Sequence, residues 1–323
     1  MGRQATSAIT IEQATAIAES LLDHRPTYIE RFDPVVGGND SYSFRILRGG
    51  EAMLLKVKKT AASPVGTYFH RRLKQAGVPV PELIAFDPTV GPAGQACAVW
   101  EWIDGKPATW APPEPCPYDE GEFGRLLRRI HDLTFDGRFG LLGDDLSARS
   151  FTSHPDLGPT SEVWAGFFHC DRAARRYFDK GYLDRREADL LSSLSGVLAD
   201  ELNSAPPHLL HMGDIMHHGN MILEPDSGRI LAVVDYVEAT AGDPRWELAC
   251  VDFYFQHYPW PAPFDMQRFR AAYGTDHDPE DRLGRFYLLA VLIVEKLLFF
   301  DPASSRGRWA IQTVKNLLKT FEA

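Results

Sequence analysis

A change of period near residue 105 constrains this chain more than any other feature. Between 28 and 103 apolar residues alternate in short runs: Tyr28 to Phe32, Ser41 to Leu47, Ala52 to Val57, Glu82 to Phe86 and Ala96 to Ile103. The turn signals Gly37-Gly38-Asn39-Asp40 and Gly49-Gly50 separate the first of them, so the stretch reads as an antiparallel meander. From Gly105 onward apolar residues recur at helical spacing, over Glu120 to Leu133, Ser161 to Phe178, Asp184 to Asn203, Met266 to Ala272 and Arg285 to Phe300. Two helices punctuate the first part. One follows the capping box Thr10-Ile11-Glu12-Gln13, and one spans Val65 to Gln75, closed by Gly77 and Pro79. The expected class is α+β, with a small β-rich lobe over residues 1–104 and a larger, mostly helical lobe over 105–323. Residues 107–117 are Pro-rich and read as a loop.

Composition narrows the partners. With 44% hydrophobic and 24% charged residues, the 323-residue chain has the makeup of a globular protein. Residues 1–104 carry 11 basic and 11 acidic side chains, leaving 23 and 33 for the rest, so the whole formal charge of −10 sits in the helical part. That balance argues against nucleic acid and for a neutral or cationic partner. The four cysteines are widely spaced, without a CxxC pair, as expected of free thiols in a reducing cytoplasm. No apolar run is long enough for a bilayer and the N-terminus has no secretory apolar core, so no membrane association is expected.

One segment interrupts the helices. In Leu209-Leu210-His211-Met212-Gly213-Asp214-Ile215-Met216-His217-His218-Gly219-Asn220-Met221-Ile222-Leu223 an acid and an amide lie on a glycine-punctuated stretch between apolar runs. After Gly228 the apolar run Ile230-Leu231-Ala232-Val233-Val234 ends in Asp235. A loop acid, a nearby Asn and an acid at a strand end are the groups that Mg²⁺-dependent phosphoryl transfer requires. One carboxylate takes the acceptor's proton, while an amide oxygen and another carboxylate hold hard cations on nucleotide phosphates.

These residues resemble the aminoglycoside phosphotransferase and choline kinase-like family of the protein kinase fold, whose loop reads His-Gly-Asp with an Asn five residues on and an Asp at the end of the following hairpin. Gly242-Asp243-Pro244-Arg245-Trp246-Glu247-Leu248-Ala249 is similar to the family's next signature, and Gly77-Val78-Pro79-Val80-Pro81 to its link out of the first helix. The resemblance covers about residues 28 to 255 and implies a two-lobed protein kinase-like fold. It also implies transfer of the γ-phosphoryl group of ATP or GTP to a hydroxyl of a small molecule. Asp214 would be the catalytic base, and Asn220 and Asp235 would bind Mg²⁺. Lys56 would hold the α and β phosphates under a turn made by Gly37, Gly38, Asn39 and Ser41. Glu101 and Trp102 fall in the connector that would bind the base. Glu238, Asp276 and Asp278 are candidates to contact a cationic, antibiotic-like acceptor; a sugar or an amino alcohol is the metabolic alternative.

The sequence departs from the family pattern in two places. Asp214 lies three positions after His211 and Asn220 six positions after Asp214, one more than usual on each side. No acidic residue occurs between Lys56 and Gly77, so the helix glutamate that pairs with the strand lysine is missing. Two other accounts fit the sequence. The departures suit a nucleotide-binding module without turnover, and the spacing of His208, His211, Asp214 and His217 suits a metal-dependent hydrolase.

Overall fold

The computed structural model describes residues 8–32, 41–59, 66–109, 114–143, 146, 156–211, 215, 218–236, 239–257, 263–274, 278–297 and 300–322. Asp214, Gly37, Gly38, Asn39, Glu238 and Asp276, and with them the phosphate-covering turn, lie outside the described residues. The chain divides into two compact units, residues 1–109 with 215–237 and residues 110–214 with 238–323. The hairpin that ends in Asp235 thus belongs to the same unit as the N-terminal sheet, although Asp235 lies 134 positions beyond Glu101, the last residue of that sheet.

The first unit is built on a five-stranded antiparallel sheet in the order β1-β2-β3-β5-β4. Its strands are β1 (Tyr28–Arg31), β2 (Ser41–Arg48), β3 (Glu51–Lys58), β4 (Leu83–Asp87) and β5 (Cys97–Glu101). Helix α1 (Ile11–Leu22) opens with the expected capping box: the Thr10 hydroxyl accepts from Gln13 N–H at 3.1 Å, and the Gln13 amide oxygen accepts from Thr10 N–H at 3.0 Å. Such a cap is worth about 1 kcal/mol. The helix lays Ala14, Ile17, Ala18 and Leu22 on one face of the sheet, against Phe44, Ile46, Met53, Leu55, Val57, Cys97 and Val99. Because side chains alternate along a strand, this buried set sends Leu54, Lys56 and Lys58 to the opposite face. Helix α2 (Thr67–Gln75) follows β3, and a second hairpin, β9 (His218–Leu223) with β10 (Ile230–Val233), completes the unit.

The Pro-rich stretch 107–117 reads as a loop, yet its first residues belong to strand β6 (Lys106–Thr109), which pairs antiparallel with β9. Pro107 is tolerated because β6 is an edge strand. The strand needs Gly105 before it: a Cβ there would stand 2.7 Å from both the Ile222 side chain and the Leu223 carbonyl.

The second unit is mainly helical. Helix α3 (Glu120–His131), capped by Asp119, packs against α8 (Met266–Tyr273), and α4 (Cys170–Asp179) packs against α5 (Arg185–Val197). A short α6 (Ala199–Leu202) precedes a small sheet of β7 (Gly140–Leu141), β11 (Thr240–Gly242) and β8 (His208–Leu210). The helix expected over 161–178 is broken: Trp164–Phe167 is a 3-10 turn, and α4 begins only at Cys170. The cause is aromatic packing, with Trp164 stacked on Phe167 at 4.6 Å and met edge-on by Phe168 at 4.9 Å. The helix expected over 285–300 is likewise α9 (Arg282–Val291) running into a π turn, Leu292–Lys296. Helix α7 (Arg245–Asp252) passes into another, Phe253–His257, and α10 (Ser305–Lys319) closes the chain.

Candidate active site

A cavity of about 630 Å³, counting the solvent at its mouth, lies within the first unit on the sheet face opposite α1. Leu54, Lys56 and Lys58 line it from β3, and Trp100 and Glu101 from β5. Gly66 and His70 come from α2 and its cap, Pro81 from the link after it, and Val233, Val234, Asp235 and Tyr236 from the end of the second hairpin.

Strand register sets the order of groups along one wall. Lys56 pairs with Ser43 on one side and Ala98 on the other, and Leu54 pairs with Trp100. Lys56 is half-buried, so its aliphatic stem packs against the sheet and leaves the ammonium at the cavity. Lys58, two residues on and on the same face, is 4% exposed. Strand alternation thus puts both lysines in the cavity wall.

The facing wall ends in Asp235. The N–H of Val234 donates to the Asn220 carbonyl at 2.8 Å, which places Asn220 on β9 across from the residue preceding Asp235. Asp235 itself has φ 66°, the left-handed region, and its side chain is exposed. A non-glycine residue there is uncommon, and Asp is among the few that adopt it readily; such strain gathers where a side chain must be aimed. Gly66 fixes the neighbouring backbone. It caps α2 at φ 76°, and a Cβ would stand 3.3 Å from the carbonyl carbon and oxygen of Tyr236.

Of the connector residues, Glu101 lines the cavity, and its carboxylate accepts from Glu82 N–H at 3.0 Å. Trp102 is turned to the strands before it, edge-on to Phe32 at 5.2 Å and under the Arg45 guanidinium at 5.0 Å. Ser41 opens β2 opposite Lys58. Asp278 lies in the second unit, at the turn before α9, where its carboxylate accepts from Glu280 N–H at 2.9 Å.

His70 went unnoticed in the sequence. It is 5% exposed on the first turn of α2, where its Nε2 donates to the Pro81 carbonyl and its ring packs on Trp100 at 4.6 Å. Burial pushes its imidazole below the ordinary value, and the Pro81 carbonyl opposes that shift only in part. The available signal was its place three residues before Leu73 on the buried face of α2.

In the second unit the Gly-Asp-Pro stretch is anchored from within. Glu247, 1% exposed, accepts from His131 Nε2 at 2.7 Å and from the backbone N–H of His211 at 2.9 Å, while Tyr273 OH meets the other ring nitrogen of His131 at 2.8 Å. Asp243 is held by Arg245 and by Tyr287 OH at 2.9 Å, and Tyr287 OH accepts from Trp164 Nε1 at 2.9 Å. Burial, followed by the Asp243 charge, raises the Tyr287 phenol well above its usual value. This network clamps the backbone at His211. It also employs His131 and His211 in packing, and the ring of His208 bonds the His131 carbonyl. Among the described residues no group of three His, Cys, Asp or Glu could hold a metal ion.

A β-rich unit carrying a strand lysine, and a hairpin that brings an Asn–Asp pair to the same region, define a phosphotransferase of the protein kinase-like fold. Residues 31–283 match the family described as the phosphotransferase enzyme family, and the chain belongs to it. No curated protein matches the sequence significantly. Among solved structures it is similar to a mutant of the aminoglycoside phosphotransferase APH(4)-Ia in complex with AMP-PNP and hygromycin B (TM-score 0.57, 18% identity, 95% of this chain and 98% of that one). It is also similar to the spectinomycin phosphotransferase APH(9)-Ia with ADP and spectinomycin (TM-score 0.57, 15% identity, 98% and 99%). A third is a protein provisionally described as a fructosamine-3-kinase from Haemophilus somnus 129PT (TM-score 0.59, 14% identity, 94% and 96%). No helix among the described residues is long and apolar enough to cross a membrane.

Proposed function

We propose that this phosphotransferase moves the γ-phosphoryl group of ATP to a hydroxyl of a small, antibiotic-like acceptor. The observation that carries the reading is the shared cavity: Lys56 and Asp235 line it together with the connector residue Glu101. Lys56 binds the α and β phosphates as a point charge. Asn220 and Asp235 offer an amide oxygen and a carboxylate, a donor set that suits Mg²⁺. When bound there, Mg²⁺ neutralises charge on the β and γ phosphate oxygens. Asp214, on the segment that leaves the Glu247 clamp, orients the acceptor hydroxyl and takes its proton. Alignment and charge neutralisation supply most of the rate.

The acidic surplus of residues 105–323 favours a cationic acceptor, with Glu238, Asp276 and Asp278 as its contacts. Structures similar to this one include complexes with hygromycin B and spectinomycin, which supports the same choice. The likeness to the protein described as a fructosamine-3-kinase favours a second reading, a metabolic kinase of a sugar amine. A mass-resolved phosphorylation screen separates them: aminoglycosides, spectinomycin, sugar amines and amino alcohols are offered with ATP and with GTP. Mass gain of one phosphoryl group on an aminocyclitol antibiotic supports the first reading, and gain on sugar amines alone the second. Asp214→Ala should abolish transfer while ATP still binds; full transfer by that variant would show the base to be another residue.

A further inference from the structure

Two side chains that line the cavity, His70 and Lys56, each hold a polar group without a partner among the described residues, and the two are not hydrogen-bonded to each other in this structure. His70 Nε2 bonds a carbonyl, so Nε2 carries the proton and Nδ1 presents only a lone pair. Nδ1 is buried and has no hydrogen-bond partner among the described residues. Burial is the main reason its imidazole is pushed down, with Lys74 and Arg71 adding to the shift and Glu82 opposing it, so the ring is neutral at pH 7 and remains an acceptor. Lys56, in the same cavity, carries three N–H donors and makes no hydrogen bond or ion pair among the described residues. The helix that borders them has no acid in its first turn, and the chain has none between Lys56 and Gly77. The other charged groups of the cavity are Lys58, which has its own interactions, Glu101, committed to Glu82 N–H, and Asp235.

We propose that, when nucleotide enters the cavity, Lys56 turns to His70 Nδ1, which positions it on the nucleotide phosphates in the place a helix carboxylate would otherwise fill. The inference rests on the nucleotide reading of the cavity. A neutral acceptor orients the ammonium without cancelling its charge, leaving that charge for the phosphates. His70 is therefore a positioning residue that acts through Lys56.

The test compares two substitutions that each keep half of the imidazole. His70→Asn leaves an oxygen near the place of Nδ1 and gives up the Pro81 bond, whereas His70→Gln keeps a donor for Pro81 near the place of Nε2 and gives up the Nδ1 acceptor. Calorimetric titration with ATP and Mg²⁺, with thermal melting as the check on folding, reads the effect. We expect His70→Gln to weaken ATP binding about 10-fold, the loss of one charge-assisted hydrogen bond, and His70→Asn to stay within about 3-fold of wild type. In a Lys56→Ala background, His70→Gln should change nothing further. The opposite order, with Gln tolerated and Asn not, or additive losses in the double variant, would overturn the inference and leave His70 a packing residue. If Lys56→Ala alone kept wild-type affinity, the nucleotide assignment itself would fall, and this inference with it.

Discussion

His131 and His70 are both buried imidazoles, one in each compact unit, and they are satisfied differently. His131 uses both ring nitrogens, on Glu247 and Tyr273, inside a network that also grips the backbone of His211. His70 uses one, on Pro81; its other nitrogen is buried without a partner among the described residues, in a side chain that lines the cavity. A fully paired buried group holds a scaffold together. A half-paired one at a cavity wall has kept an interaction in reserve, because leaving it unmade costs about 1–3 kcal/mol until something supplies the missing partner. The same contrast separates the motif acids: Asp243 and Glu247 are buried and committed, whereas Asp235 is exposed on strained backbone.

The largest effects should fall on turnover, in the first unit. Lys56→Ala and Asp235→Ala are each expected to lower phosphoryl transfer by about 10²-fold to 10³-fold, with thermal melting little changed, as steady-state kinetics on the screened acceptor would reveal. Glu247→Ala should do the reverse of a site mutation. It strips His131 and the His211 N–H of their buried partner and should cost about 3–5 kcal/mol in denaturant unfolding. A Glu247 variant of undiminished stability would dissolve the division between scaffold and site. Gly66→Ala comes next. Its positive φ and the Tyr236 backbone against its Cβ direction predict a loss of about 1–2 kcal/mol.

The smallest effect is on pH dependence. His70, His169 and His208 are each held below the ordinary imidazole value, burial being the main cause. The unfolded chain therefore binds more protons than the folded one between the folded values and about 6.5, and stability should decline as pH falls through that window. His70→Asn should flatten part of the decline, measured as unfolding free energy from pH 7.5 to 5. An unchanged slope would show that His70 does not contribute.

Much of this was legible beforehand, for reasons that differ by element. The Thr10 cap, the β3 alternation that exposes Lys56, and the strand running into Asp235 are local patterns whose physics is carried by neighbours in sequence. Strand β6 was missed because Pro107 reads as a breaker, and only the distant β9 makes an edge there. The break at Trp164 was missed because helical spacing of apolar residues cannot show that three aromatic rings prefer to pack on one another. His70 was missed because its meaning depends on Pro81, Trp100 and Lys56 meeting at one cavity, and no spacing rule brings those four together.

Calorimetric titration of ATP, with and without Mg²⁺, into wild type and Asp235→Asn tests the central claim most directly. Asn keeps the left-handed backbone and the side-chain size while removing the charge. Wild type should bind ATP more tightly with Mg²⁺ than without it, and Asp235→Asn should lose that gain while melting normally. Equal Mg²⁺ dependence in the two proteins would mean that the cavity bounded by Lys56 and Asp235 is not where the metal-bound nucleotide sits.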